Sequence, residues 1–161
     1  FGELDGLKSK RAKAMLAAFE AAEIECELTG EIERTIWLKF VLLATMAGMT
    51  SVTRANFKQL REDPETRTLI RAAIAEAVAV GHAKGVDLRY DDIDVTMAKV
   101  DAGPPLGRAS MAVDLERGNP MELPWFSGLI VSMGQDLDVP TPVHGFINAA
   151  LKFHQDGRVE N

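Results

Sequence analysis

The sequence predicts a mainly α-helical chain preceded by a short strand–helix–strand segment, and three observations carry that prediction. From residue 29 onward, apolar residues recur at helical spacing in runs bounded by Asp-Pro, Gly and Thr-Pro signals. One of those runs, from about Glu31 to Gly48, has almost no polar face (Ile32, Ile36, Trp37, Phe40, Val41, Leu43, Met46), as expected of a central buried helix. Residues 1–28 have a different texture. FGELDG ends in an Asp-Gly turn signal, Ala12, Met15, Leu16, Phe19 and Ala22 follow a helical period, and Ile24–Leu28 alternates apolar and acidic residues as a half-buried strand does.

The remaining elements follow in order. Thr29 stands where a cap of the long apolar helix belongs, and Glu31, Glu33 and the later Lys39 suit its dipole. A short helix is expected over residues 55–61. Asp63-Pro64 opens a long helix to about Lys84, with Leu69, Ile70, Ala73, Ile74, Ala77 and Val78 as its buried stripe and Gly85 as its stop. Residues 91–101 form a shorter amphipathic helix, and Gly103-Pro104-Pro105 a loop. Helices are then expected over residues 107–116, stopping at Gly118, and over 124–135. Thr141 caps a last helix with Pro142 at its first position. The change of texture near Thr29–Gly30 divides the chain into residues 1–28 and 29–161.

The bulk properties exclude several function classes. A length of 161 residues with 47% hydrophobic and 26% charged residues suits one domain with a sizeable core. A net charge of -6 argues against a nucleic-acid platform, which needs a basic surface. Cys26 is the one cysteine, so no intrachain disulfide or cysteine metal site can form, which fits a reducing, cytoplasmic setting. His82, His144 and His154 lack metal-ligand spacing, no metal is expected, and no Ser-His-Asp or Cys-His arrangement can be argued. The longest apolar stretch, Phe40 to Met49, is too short to span a bilayer and is interrupted by Thr45 and Gly48, so no membrane partner is expected. There is no signal-like N-terminus, and Phe1 in place of methionine fits a chain that begins inside a longer protein.

The segment from Ser110 to Lys152 resembles the C-terminal signature of ketopantoate reductases (2-dehydropantoate 2-reductases). The residues that carry the resemblance are Ser110-Met111, Asp114, Gly118, Glu122, Gly128 and Val139 to Pro142. Ile36-Trp37-Leu38-Lys39-Phe40 is similar to the family's Trp-x-Lys helix, and FGELDG resembles the end of its nucleotide domain. The resemblance implies a multi-helix C-terminal domain like that of 6-phosphogluconate-dehydrogenase-like reductases, preceded by a remnant of the dinucleotide-binding domain. It implies an NADPH-dependent oxidoreductase that reduces a 2-oxo acid to a 2-hydroxy acid in pantothenate and coenzyme A synthesis. Two departures stand out. Leu43 and Ala47 occupy positions where the family carries asparagines, and no GxGxxG loop follows a strand anywhere in the chain.

Within that resemblance Lys39 is the general acid. Its neighbours Trp37, Phe40, Val41 and Leu43 suggest desolvation, which would disfavour the ammonium form and suit it to proton donation; a lysine snorkelling from an ordinary helix is the alternative. Ser110 and Asp114 share a helix face. Ser110 is expected to bond the substrate carboxylate or hydroxyl, or else to be a cap. Asp114 contributes to the substrate site, or is a local partner of Arg108 or Arg117. Glu122 is expected near the lysine and the cofactor's ribose, orienting the ammonium, or else is an ordinary acid at a helix start. Thr45 and Thr50 are candidates to replace the missing asparagines. The chain by itself is expected to be inactive and, with an apolar cleft wall uncovered, to form a homodimer. Two further readings stay open: a non-catalytic helical dimerisation module, and a paralogous reductase of a different 2-oxo acid suited to the more apolar pocket that Leu43 and Ala47 create.

Overall fold

A computed structural model describes residues 1–158, so the last three residues of the 29–161 segment lie outside the described residues. The chain divides into two compact units, Phe1–Trp37 and Leu38–Asn161. Its α-helices are α1 (Lys10–Ala21), α2 (Ile32–Thr53), α3 (Phe57–Glu62), α4 (Pro64–Ala83), α5 (Asp92–Ala102), α6 (Ser110–Arg117), α7 (Ser127–Asp136) and α8 (Pro142–Leu151). Single 3-10 turns cover Leu123–Trp125 and Lys152–His154.

In the first unit, Ser9 caps α1. Its Oγ accepts from the Ala12 amide at 3.1 Å and donates to Glu3 at 2.5 Å, while Arg11 also pairs with Glu3. These bonds hold the Glu3 carboxyl down at about 2. The Phe1 ring meets Phe19 edge-on with centroids 5.7 Å apart. The expected turn at Asp5-Gly6 is present, with Gly6 at φ +74°. The two expected strands are not: residues 1–3 and 24–28 have no strand conformation. The amino group of Phe1 reaches the Glu27 carbonyl at 2.9 Å, and the Phe1 carbonyl accepts from the Thr29 amide at 3.0 Å. One residue's pair of bonds is not a ladder, and alternation alone cannot supply the neighbouring strand that a ladder needs.

In the second unit α4 is the hub, packing against α3, α5, α7 and α8, while α7 also lies on α8. Ile70, Ala73, Ile74, Ala77 and Val80 of α4 are buried there with Leu60, Val100, Met111, Ile130 and Ile147. The expected stripe of α4 is present except for Leu69, which is 45% exposed. Its ends are as expected: Asp63 accepts from the Thr66 amide at 2.8 Å, and Gly85 has a φ of +94°.

α2 runs five residues beyond the expected stop at Gly48. Thr50 and Thr53 return their hydroxyls to the Met46 and Met49 carbonyls at 2.7 and 2.6 Å, so these polar groups are satisfied without leaving the helix. At 22 residues α2 is long and apolar enough to cross a membrane by length and composition alone, unlike the ten-residue stretch read from the sequence. Its continuous buried segment from Ala44 to Ser51 accounts for part of that apolarity, but the helix is not buried all round as expected: Ile36 is 57% and Leu43 44% exposed, because only the C-terminal half of α2 is enclosed by neighbouring helices.

Gly48 shows why the helix continues. A Cβ there would stand 2.9 Å from both Ile147 Cδ1 and Cγ2, so the absent side chain is what lets α8 approach. Gly48→Val should lower stability by about 1–2 kcal/mol, the overpacking cost exceeding the relief of a mid-helix glycine. Urea unfolding checks it: an unchanged midpoint would mean that Ile147 moves aside freely.

α6 starts at Ser110, three residues later than expected, because the preceding loop is tied to α3. The Phe57 amide donates to the Gly107 carbonyl and the Lys58 amide to the Pro105 carbonyl, each at 2.9 Å. Arg61 donates to the Asp101 and Gly103 carbonyls at 2.8 Å. α7 is likewise shorter than expected, since residues 123–125 form a 3-10 turn before it. At α8, Thr141 holds the cap position but makes no capping bond. Glu76 of α4 caps this helix from outside, accepting from the Val143 and His144 amides at 2.8 and 3.0 Å.

Candidate functional site

A cleft of about 440 Å³ opens in the second unit. Leu42, Leu43, Met46 and Ala47 form the α2 wall, Phe57 comes from α3, and Lys99 and Val100 come from α5. Gly103, Pro104 and Ala109 belong to the loop tied to α3, which leads to Ser110 at the first position of α6. Glu122, just before the 3-10 turn, and Phe126, just before α7, complete the lining. Two of the residues singled out in the sequence, Ser110 and Glu122, therefore share one cleft although they come from separate elements. So do Leu43 and Ala47, which makes this wall hydrocarbon.

Lys39 stands one helical turn before Leu43 on the same face of α2. It is exposed and does not line the cleft. The desolvation expected from its apolar sequence neighbours is absent. Residues adjacent in a helix sequence project about 100° apart, so Trp37, Phe40 and Val41 do not surround it. Glu122 is also exposed, and its backbone carbonyl accepts from the Trp125 and Phe126 amides. Asp114 is half-buried and outside the cleft lining; it accepts from Asn119 Nδ2 at 3.0 Å, while Arg108 pairs with Glu116. Thr45 and Thr50 are fully buried and do not line the cleft, so neither hydroxyl stands in for an asparagine there.

Lys99, Phe57 and Phe126 were not legible from the sequence as site residues. Lys99 lies on an amphipathic helix among other polar residues, and nothing in its spacing separates it from a solvated surface lysine. Only the tied loop between α5 and α6 brings it beside Ser110.

A second polar cluster also escaped the sequence reading. Ser127, His144 and Glu76 come together from three helices. The Ala73 carbonyl lies 3.1 Å from His144 Nε2 and can only accept, so Nε2 carries the proton. Nδ1 then accepts from the Ser127 hydroxyl at 3.1 Å. This is not a nucleophilic triad: Glu76 holds backbone amides rather than the imidazole, and Ser127 and His144 are 0% exposed. Burial pushes His144 down to about 4 and raises Glu76 above the usual carboxylate range.

The sequence model of the family described as ketopantoate reductase PanE/ApbA C terminal matches residues 31–155. The chain is 28% identical over 151 residues to the 2-dehydropantoate 2-reductase of Mesorhizobium japonicum, an alignment covering 94% of this chain and 46% of that protein. The solved 2-dehydropantoate 2-reductase from Methylococcus capsulatus superposes with a TM-score of 0.80 at 30% identity, over 94% of this chain and 48% of that one. A dimeric ketopantoate reductase from Staphylococcus aureus shares the fold, with a TM-score of 0.78 at 21% identity, over 91% of this chain and 51% of that one. The chain thus spans about half the length of the curated relatives it matches.

Proposed function

The chain belongs to the ketopantoate reductase family through its C-terminal domain, and from that premise we propose that it is the substrate-side half of an NADPH-dependent reductase converting a 2-oxo acid to a 2-hydroxy acid. In this reading residues 29–161 form the substrate and dimerisation domain, and residues 1–28 close the nucleotide domain. The observation that carries the proposal is the cleft itself, which Ser110 and Glu122 line together with Leu43 and Ala47 of α2.

The residues present do not fit a dinucleotide. Its pyrophosphate needs a glycine-rich turn leading from a strand into a helix N-terminus. No two of the thirteen glycines are separated by a single residue, and the described residues include no strand. The pyrophosphate would be held by residues outside this chain, with Glu122 near the cofactor's ribose, and the chain by itself would not turn over. Its own residues do the rest of the work. Ser110 donates a hydrogen bond to the acid's carboxylate or to the hydroxyl that forms. Lys39 supplies the proton to the carbonyl oxygen, and Glu122 favours and orients its ammonium. Asp114 acts on the substrate at one remove, by fixing the end of α6 through Asn119. The holoenzyme would be a homodimer working in the cytoplasm, with ketopantoate and the pantothenate route as the family's reference chemistry.

The direct test is NADPH oxidation by the holoenzyme with a panel of 2-oxo acids. Turnover of at least one of them is expected; a folded holoenzyme that reduces none would overturn the proposal.

A further inference from the structure

The cleft has one cationic and one anionic lining residue, Lys99 and Glu122, and Ser110 is the remaining polar side chain in it. The other walls facing the cavity are hydrocarbon: Leu43, Met46, Ala47, Phe57, Val100 and Phe126 offer no side-chain group that bonds a hydroxyl. Leu43 is 44% exposed, an apolar surface left open at the cavity rather than packed into the core. A volume of about 440 Å³ is in the range of small-molecule sites and leaves room for a branched or aromatic side chain.

We infer that the ligand of this cleft is a 2-oxo acid with a purely hydrocarbon, branched or aromatic side chain, and that Lys99 holds its carboxylate. The inference rests on the reductase reading above and narrows its substrate class. A carboxylate entering an apolar cavity must be paired. On a chain of net charge -6, it is drawn to Lys99 and repelled by Glu122. That polarity sets one orientation, with the acid's head toward α5 and its side chain toward α2, α3 and Phe126. A hydroxyl on the side chain would lose its water there without gaining a partner.

Two substrates that differ by one group make the test. Ketopantoate and 3,3-dimethyl-2-oxobutanoate are identical except for the terminal hydroxyl that the second lacks. By kcat/KM for NADPH oxidation, the holoenzyme should prefer the second by about ten- to a hundredfold. Equal or greater kcat/KM for ketopantoate would overturn the hydrocarbon pocket while leaving the reductase reading intact; failure to reduce any 2-oxo acid would instead overturn that reading. Lys99→Gln should raise KM about tenfold or more with kcat little changed, because it removes a charge-assisted bond to the bound acid. Lys99→Arg should recover most of the loss. An unchanged KM in Lys99→Gln would overturn the carboxylate assignment.

Discussion

Lys39→Ala in the holoenzyme is expected to lower kcat by about a hundredfold or more, the range for a lost general acid, with a much smaller change in KM. Lys39 is the one charged residue between Ile36 and Thr53, a helix segment otherwise apolar or hydroxylic. It precedes Leu43 and Ala47, which line the cleft, by one and two turns on the same helix face. Because the side chain is exposed, the substitution should change stability by no more than about 0.5 kcal/mol, and lost activity would not reflect lost folding. Lys39→Arg separates charge from proton transfer. Arginine keeps the positive charge but hardly releases a proton at neutral pH, so an Arg variant with near-normal kcat would assign Lys39 an electrostatic role instead. An unchanged rate in Lys39→Ala would remove it from the mechanism.

Acid should weaken the second unit through His144. Burial holds this imidazole at about 4 in the folded chain, against 6.5 when solvated. The unfolded chain therefore binds the extra proton first as pH falls. The contribution is fully present above about 6.5, shrinks as pH drops towards 4, and is exhausted below that. A gap of this size corresponds to about 3 kcal/mol, a large share of a domain's stability. Glu76 acts with the opposite sign. Its raised value stabilises the fold at low pH, and that contribution is lost as pH rises through the folded value, above 4.5, so it offsets part of the His144 loss at the acid end of the window. Urea unfolding at pH 7.5, 6.5, 5.5 and 4.5 measures the sum. Wild type should lose stability steadily below about 6.5, whereas His144→Gln should start less stable but change little over that range. An equal slope in the two proteins would move the acid sensitivity to another group.

Much of the helical order was legible because its signals are local. Asp63-Pro64 starts α4, and Gly85 and Gly118 close their helices; the all-round apolarity of α2 marks a buried helix only over Ala44 to Ser51. The misreadings share a different origin. Gly48 looks like a helix stop, yet α2 continues because α8 packs against the missing side chain. Thr141 looks like a cap, yet Glu76, sixty-seven residues before Val143, takes that role. Ile24–Leu28 alternates like a strand, yet no partner strand stands beside it. In each case the deciding group is remote in sequence.

The same division holds for the site. Ser110, Glu122 and the Lys39–Leu43–Ala47 face could be named through the resemblance to the family, because α2 and the segment around α6 carry its motifs in order. Sequence by itself thus determined the family, the helical class and two of the cleft's three polar residues. Tertiary structure alone decided that Lys39 is exposed, that Thr45 and Thr50 turn away from the cavity, and that Lys99, Phe57 and Phe126 complete it. The physical reason is that burial and convergence are properties of packed surfaces: a helix period tells which residues share a face, but only the neighbouring helices determine what that face meets.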